Sequence, residues 1–224
     1  MLDIDMTKPG FERLVSGEAP LDRIHHGMSF GEGPLWNRRE SAFYWVDIVG
    51  DTIWRWRDGS GAEVFIRPST KANGLTFDRD GRLCVAGWAS RSVWRVEPDG
   101  KVTTLASHYQ GKRINSPNDI VVRSDGSIYF TDSPGALYNV GMAAEDVQQY
   151  LDFQGVFRIS PDGARVAYVV STPVLPKNEH EGALFVVPAT GGAPLVLGSS
   201  VRIFNTPVPR PQLRWSPEDR KSVV

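Results

Sequence analysis

Short apolar runs separated by Asp-Gly turns recur along this chain, and the clearest of them sets the pattern for the rest. Asn118-Asp119-Ile120-Val121-Val122, then Arg123-Ser124-Asp125-Gly126, then Ser127-Ile128-Tyr129-Phe130-Thr131-Asp132 predicts strand, Asp-Gly turn, strand. The same unit stands earlier as Asn73-Gly74-Leu75-Thr76-Phe77, Asp78-Arg79-Asp80-Gly81, Arg82-Leu83-Cys84-Val85-Ala86-Gly87. It stands earlier again as Gly33-Pro34-Leu35-Trp36 followed by Phe43-Tyr44-Trp45-Val46-Asp47. A third strand follows in each unit: Ile53-Trp54-Arg55-Trp56, Val93-Trp94-Arg95-Val96 and Val156-Phe157-Arg158-Ile159. Asp58-Gly59, Asp99-Gly100 and Asp162-Gly163 then lead into a fourth. Four antiparallel strands in a repeat of roughly 40 to 45 residues is the period of a β-propeller blade. A sandwich would show short strands without a register that holds over three units. The inner strands are expected to start near Leu35, Leu75 and Ile120.

In a propeller, equivalent positions of successive blades form a ring about the axis, so the repeat also says where chemistry can gather. Superposing the units places Gly33, Asn73 and Asn118 on one ring and Glu32, Ala72 and Pro117 on the step before it. Glu32, Asn73 and Asn118 are therefore expected to converge on one end of the channel. One carboxylate and two amide carbonyls are hard oxygen ligands, suited to Ca²⁺, Mg²⁺ or Mn²⁺, with Zn²⁺ also compatible. Asparagine before a strand also serves turn geometry alone, which accounts for Asn73 and Asn118 but not for an acid within Phe30-Gly31-Glu32-Gly33-Pro34-Leu35-Trp36.

FGEGPLW (Phe30 to Trp36), ANGLTFDRDGRL (Ala72 to Leu83), NSPNDIVVRSDGSIYFTD (Asn115 to Asp132) and GVFRISPDG (Gly155 to Gly163) resemble the SMP-30/gluconolactonase/luciferin-regenerating-enzyme-like family. The resemblance implies an all-β, six-bladed propeller with one divalent metal ion at a mouth, Ca²⁺ first. It matches Glu32 to a metal-ligand glutamate and Asn118 to an asparagine near the metal that contacts water or substrate. Arg113 and Asn115, with Asn73, are the candidates for binding substrate. It further implies hydrolysis of a sugar lactone or related cyclic ester, with the general base unassigned. The alternative is a non-catalytic propeller acting as a binding module, or an inactive truncated relative.

The pattern then departs from the family. Residues 1–28 read as an N-terminal arm, 29–170 as the propeller blades and 171–224 as a divergent tail with a partial blade. Gln212 stands where an Asn-Gly strand entry is expected. Room for about three to four blades makes the fold an incomplete six-bladed type, expected to be a weak or inactive lactonase of marginal stability. Whether the tail is authentic or the product of a frameshift or truncation is left open by the sequence. Asn178, Glu179, Glu181, Asn205, Glu218 and Asp219 are the tail's only candidates for the missing ligands. Within the tail, Ala183 to Val187 and Leu195 to Leu197 predict a hairpin, and AAEDVQQYL, ending at Leu151, predicts a short helix on a loop.

Composition narrows the function classes. With 224 residues, 41% hydrophobic and 23% charged, the chain has material for a core, and a net charge of −1 predicts no general affinity for nucleic acid or anionic lipid. No apolar run approaches the roughly 20 residues of a membrane helix, and the opening lacks the regions of a secretory signal, so a cytoplasmic address is expected. The single Cys84 excludes an intrachain disulfide and reads as a small buried hydrophobe. His25 and His26 are adjacent, and adjacent strand residues point to opposite faces, so they are not expected to chelate one ion. No nucleophile elbow, zinc-protease helix or phosphate loop points to another enzyme class.

Overall fold

The computed structural model describes residues 22–135, 147–162, 165–174, 179–188, 193, 195–203, 214–215 and 222–223. Its architecture is that of a β-propeller. The first blade is the sheet β1 (Gly31–Asn37), β2 (Ala42–Asp47), β3 (Thr52–Arg57) and β4 (Gly61–Ile66), paired in that order and antiparallel throughout. The second is β5 (Ala72–Phe77), β6 (Leu83–Gly87), β7 (Ser92–Val96) and β8 (Val102–Ala106). A two-stranded ribbon, β9 (His108–Tyr109) with β10 (Lys112–Arg113), leads to the third blade. That blade begins with β11 (Pro117–Val122), β12 (Ile128–Asp132), β13 (Gly155–Ile159) and β14 (Arg165–Val174). It continues through β15 (Glu179–Pro188) and β16 (Leu195–Ile203), so the predicted tail hairpin is present and extends the third sheet to six strands. A short pair, β17 (Arg214–Trp215) with β18 (Ser222–Val223), follows.

The core lies between blades. Tyr44, Val46 and Ile53 of the first blade meet Leu75, Val85 and Trp94 of the second, and Tyr44 stands edge-on to Phe65 and Phe77. Cys84, Ala86 and Val93 of the second meet Ile120, Phe130 and Phe157 of the third, with Phe130 and Phe157 stacked at 5.1 Å. The middle strands of the second blade, β6 and β7, therefore feed both cores, with Leu83, Val85 and Trp94 turned to one and Cys84, Ala86 and Val93 to the other, and β6 is buried along its whole length. Cys84 lies inside this packing, where burial pushes its thiol up to about 12.

The first blade's other face carries Trp36, Phe43, Trp45 and Trp54. Residues 22–28 form no strand and reach this face by side-chain packing instead. The His25 ring lies 4.3 Å from that of Trp54, and the Trp45 indole N–H donates to Met28 Sδ at 2.8 Å. His25 is thus a packing residue on an aromatic face. Within AAEDVQQYL, Val147–Leu151 is not helical, and the earlier residues lie outside those described.

Candidate metal and lactone site at the propeller mouth

At one end of the blades the three inner strands begin in the same way. Gly31 pairs with Asp47, Ala72 with Gly87 and Pro117 with Asp132, so these three inner residues are equivalent. The next residues along are Glu32, Asn73 and Asn118. Each inner strand then carries a β-bulge before Leu35, Leu75 and Ile120, and the ladder continues beyond it. The strands thus start earlier than the apolar runs alone indicate. The register also corrects the superposition by one residue: Glu32, rather than Gly33, shares the ring with Asn73 and Asn118. Gly33 is equivalent to Gly74.

Those glycines show why the strands approach so closely here. A Cβ at Gly33 would run into the Asn73 carbonyl, and one at Gly74 would lie 2.7 Å from the Asn118 carbonyl. Gly33 also has φ +60, a conformation that costs glycine nothing. Backbone therefore meets backbone from blade to blade at the step just inside the ring, which keeps Glu32, Asn73 and Asn118 on successive neighbouring strands.

Glu32 is exposed, Asn118 half-buried and Asn73 buried at 5%. Among the described residues, none of the three side chains has a hydrogen-bond or ion-pair partner. With no partner among the described residues and its polar atoms not sealed from solvent, the Asn73 amide fits a site that takes an external oxygen-seeking group. The other end of the blades is built differently. There a cleft of about 670 Å³ between the second and third blades is lined by Asp78, Arg82, Arg95, Asp125 and Asp162. Its charges are matched internally, with Arg82 on Asp78 at 2.7 Å and Arg95 on Glu97 at 2.7 Å.

Asn115 spends its side chain on bonds within the protein. It is wholly buried; its Oδ1 accepts from the Tyr150 and Leu151 N–H groups at 2.9 and 3.0 Å, and its Nδ2 donates to the Leu151 carbonyl at 3.0 Å. That side chain fixes the loop at 149–151 and has little left to offer a substrate. Arg113 is half-buried beside the same loop, with its guanidinium 5.8 Å from the Tyr150 ring centre and Nη2 3.5 Å from the Ser90 carbonyl. Arg91, missed in the sequence, is 1% exposed, donates to the Asn115 carbonyl at 2.9 Å and lies 5.2 Å from the Tyr150 ring centre. Asp132 accepts from the Asn115 and Ser116 N–H groups at 2.9 and 2.7 Å. Burial pushes its carboxyl up to about 6, against the pull of those donors and of Arg91.

Among the described residues, no group of three or more His, Cys, Asp and Glu side chains is placed to hold a metal ion. The mouth offers one carboxylate and two amides, a hard set that fits Ca²⁺, Mn²⁺ or Mg²⁺ as part of a larger shell. Asn178, Asn205, Glu218 and Asp219 lie outside the described residues, as do the side chains of Glu179 and Glu181.

Repeated antiparallel sheets that share a polar mouth define a β-propeller. The profile of the SMP-30/gluconolactonase/LRE-like region matches residues 30–178, and the chain belongs to this family. It is 29% identical over 169 residues to a gluconolactonase of Zymomonas mobilis, covering 69% of this chain and 47% of that protein. It is 29% identical over 107 residues to a pentonolactonase of Haloferax volcanii, covering 46% of this chain and 34% of that protein. The solved gluconolactonase of Xanthomonas campestris superposes with a TM-score of 0.61 at 25% identity, covering 77% of this chain and 64% of that one. The chain spans about half the length, or less, of these curated relatives. Among the described residues no helix is long and apolar enough to cross a membrane.

Proposed function

We propose that this chain carries the mouth of a lactone hydrolase of the gluconolactonase kind, acting on a sugar lactone with one divalent cation. The observation that carries this reading is the equivalence of Glu32, Asn73 and Asn118 on three successive inner strands, their side chains without a partner among the described residues. Glu32 and Asn118 would hold the ion, Ca²⁺ first, with Mn²⁺, Mg²⁺ and Zn²⁺ as alternatives. A bound cation supplies Lewis-acid polarisation of the lactone carbonyl. The protein's own part is orientation. Asn73 presents its amide toward a sugar hydroxyl or the ion's shell, and Arg113 stands at the blade 2–blade 3 edge of the mouth as a donor to substrate oxygen. Asn115 acts one step back, on the loop that carries Tyr150. The described residues assign no general base.

The relatives named for gluconolactone and pentonolactone support a lactone of an aldonic acid as the substrate class. Hydrolysis of glucono- and pentonolactones by the 224-residue chain, followed with added Ca²⁺, Mn²⁺, Mg²⁺ and Zn²⁺, tests the reading. Cation-dependent turnover that Glu32→Ala abolishes supports it. Lactone binding without turnover under every cation favours the binding-module alternative instead.

A further inference from the structure

A ligand on the first step of a bulged strand is only as well placed as the chain leading into that strand. In every described blade that chain is gripped by a carboxylate. Asp47, closing β2, accepts from the Ser29 and Phe30 N–H groups at 3.1 and 2.9 Å, three and two residues before Glu32, and from the Gly50 N–H at 3.1 Å. Asp132, closing β12, accepts from the Asn115 and Ser116 N–H groups at 2.9 and 2.7 Å, three and two residues before Asn118. These are the same contacts at the same positions of two blades.

The second blade lacks the carboxylate and replaces it. Its corner position is Gly87, where a Cβ would run into the Ser90 hydroxyl and come within 2.6 Å of the Trp94 indole nitrogen, so no acid fits. Asp51 of the first blade reaches across instead. Its Oδ1 accepts from the Ser69 N–H and hydroxyl, both at 3.1 Å, and from the Lys71 N–H at 2.6 Å, on the approach to Asn73. A blade that loses the device at its own corner regains it from a neighbour, an arrangement that folding the second blade alone does not require. Arg91 completes the third grip by donating to the Asn115 carbonyl, so that residue is held by both its N–H and its C=O.

We propose that Asp47, Asp51 and Asp132 are positioning residues of the mouth, one for each of Glu32, Asn73 and Asn118. This rests on reading the mouth as a cation site. Each carboxylate acts through two backbone N–H groups of the segment leading into the ligand-bearing strand and touches no ligand atom itself. Removing such a support characteristically weakens metal binding by 10- to 100-fold while leaving the ligands in place.

The test uses the isosteres Asp47→Asn and Asp132→Asn, and the truncation Asp51→Ala, in the full chain. At Asp47 and Asp132 the two N–H groups bond different oxygens, and an amide turns one of those oxygens into a donor, so one N–H loses its partner; at Asp51 both N–H groups share Oδ1, and only truncation removes the grip. Calorimetric titration with Ca²⁺ and Mn²⁺ is compared with that of Ile128→Val, which trims the third blade's core without touching a grip. The expected result is binding weakened about 10-fold or more in Asp47→Asn, Asp132→Asn and Asp51→Ala, with wild-type affinity in Ile128→Val despite its lower Tm. Folded variants of these aspartates that bind as wild type overturn the proposal. If Asp132→Asn does not fold, Asp47→Asn at the edge blade decides it. If the wild type binds no cation, the cation reading falls and amide exchange judges the grips: faster exchange confined to residues 115–119 in Asp132→Asn upholds them, and unchanged exchange overturns them.

Discussion

Asp132 is the residue whose chemistry departs furthest from its ordinary behaviour while remaining within reach of the mouth. Its carboxyl is pushed up to about 6 by burial, so the folded chain holds that proton more tightly than the unfolded chain does. The sign follows directly. This group's contribution to stability is fully present below the unfolded value of 3.8 and is lost as pH rises through about 6. The span of roughly two pH units corresponds to at most about 3 kcal/mol. Urea unfolding of wild type and Asp132→Asn, taken from pH 4 to 7, should show wild type losing ground to the variant as pH rises. Parallel curves would show that the carboxyl titrates normally. Asp47, whose carboxyl is held below its usual range by the N–H groups of Phe30, Gly50 and Ser29 despite its burial, shifts the other way. Its contribution is present above the unfolded value of 3.8 and lost as pH falls below it.

At the scale of the element, much was legible and one register was not. The Asp-Gly turns and the repeated Ile-Trp-Arg and Val-Trp-Arg strands marked the blades, because turn chemistry and side-chain period are local properties. The bulges are not local. Gly33-Pro34-Leu35 and Asn73-Gly74-Leu75 look alike as words, but the ladder pairs Gly31 and Ala72 with the ends of the next strands and shifts the match by one. The supports were missed for a similar reason, although Asp47 and Asp132 both close the second strand of their unit, in Tyr-Trp-Val-Asp and Tyr-Phe-Thr-Asp. Asp51 had no such signal, since it serves a neighbouring blade. Asn115 looked like a substrate residue because an asparagine's partners, here all on the loop at 149–151, are invisible in the sequence.

Two substitutions test the blade contacts. Gly33→Ala forces a side chain into φ +60 and against the Asn73 carbonyl, and should destabilise by more than about 1 kcal/mol. Phe130→Ala removes a ring that stacks on Phe157 in the core between the second and third blades, at a cost of about 3–5 kcal/mol. Denaturant unfolding measures both. A Gly33→Ala protein as stable as wild type would contradict the close approach of β1 and β5.

For the whole molecule, the two ends of the propeller have opposite character. At the turn end, Asp78, Arg82, Arg95 and Glu97 satisfy one another, and such exposed or half-exposed pairs add little beyond solubility and local order. At the mouth, the backbone is tightly held while the side chains of Glu32, Asn73 and Asn118 have no partner among the described residues. A fixed scaffold with free oxygen donors at one end is what the proposed cation site requires. The most direct measurement is calorimetric titration of Ca²⁺ and Mn²⁺ into wild type, Glu32→Ala and His25→Ala. A cation site at the mouth predicts binding by wild type and His25→Ala and loss of most affinity in Glu32→Ala, since only that change removes a charged oxygen ligand. Equal affinity in all three proteins, or equal loss in the two variants, would contradict it.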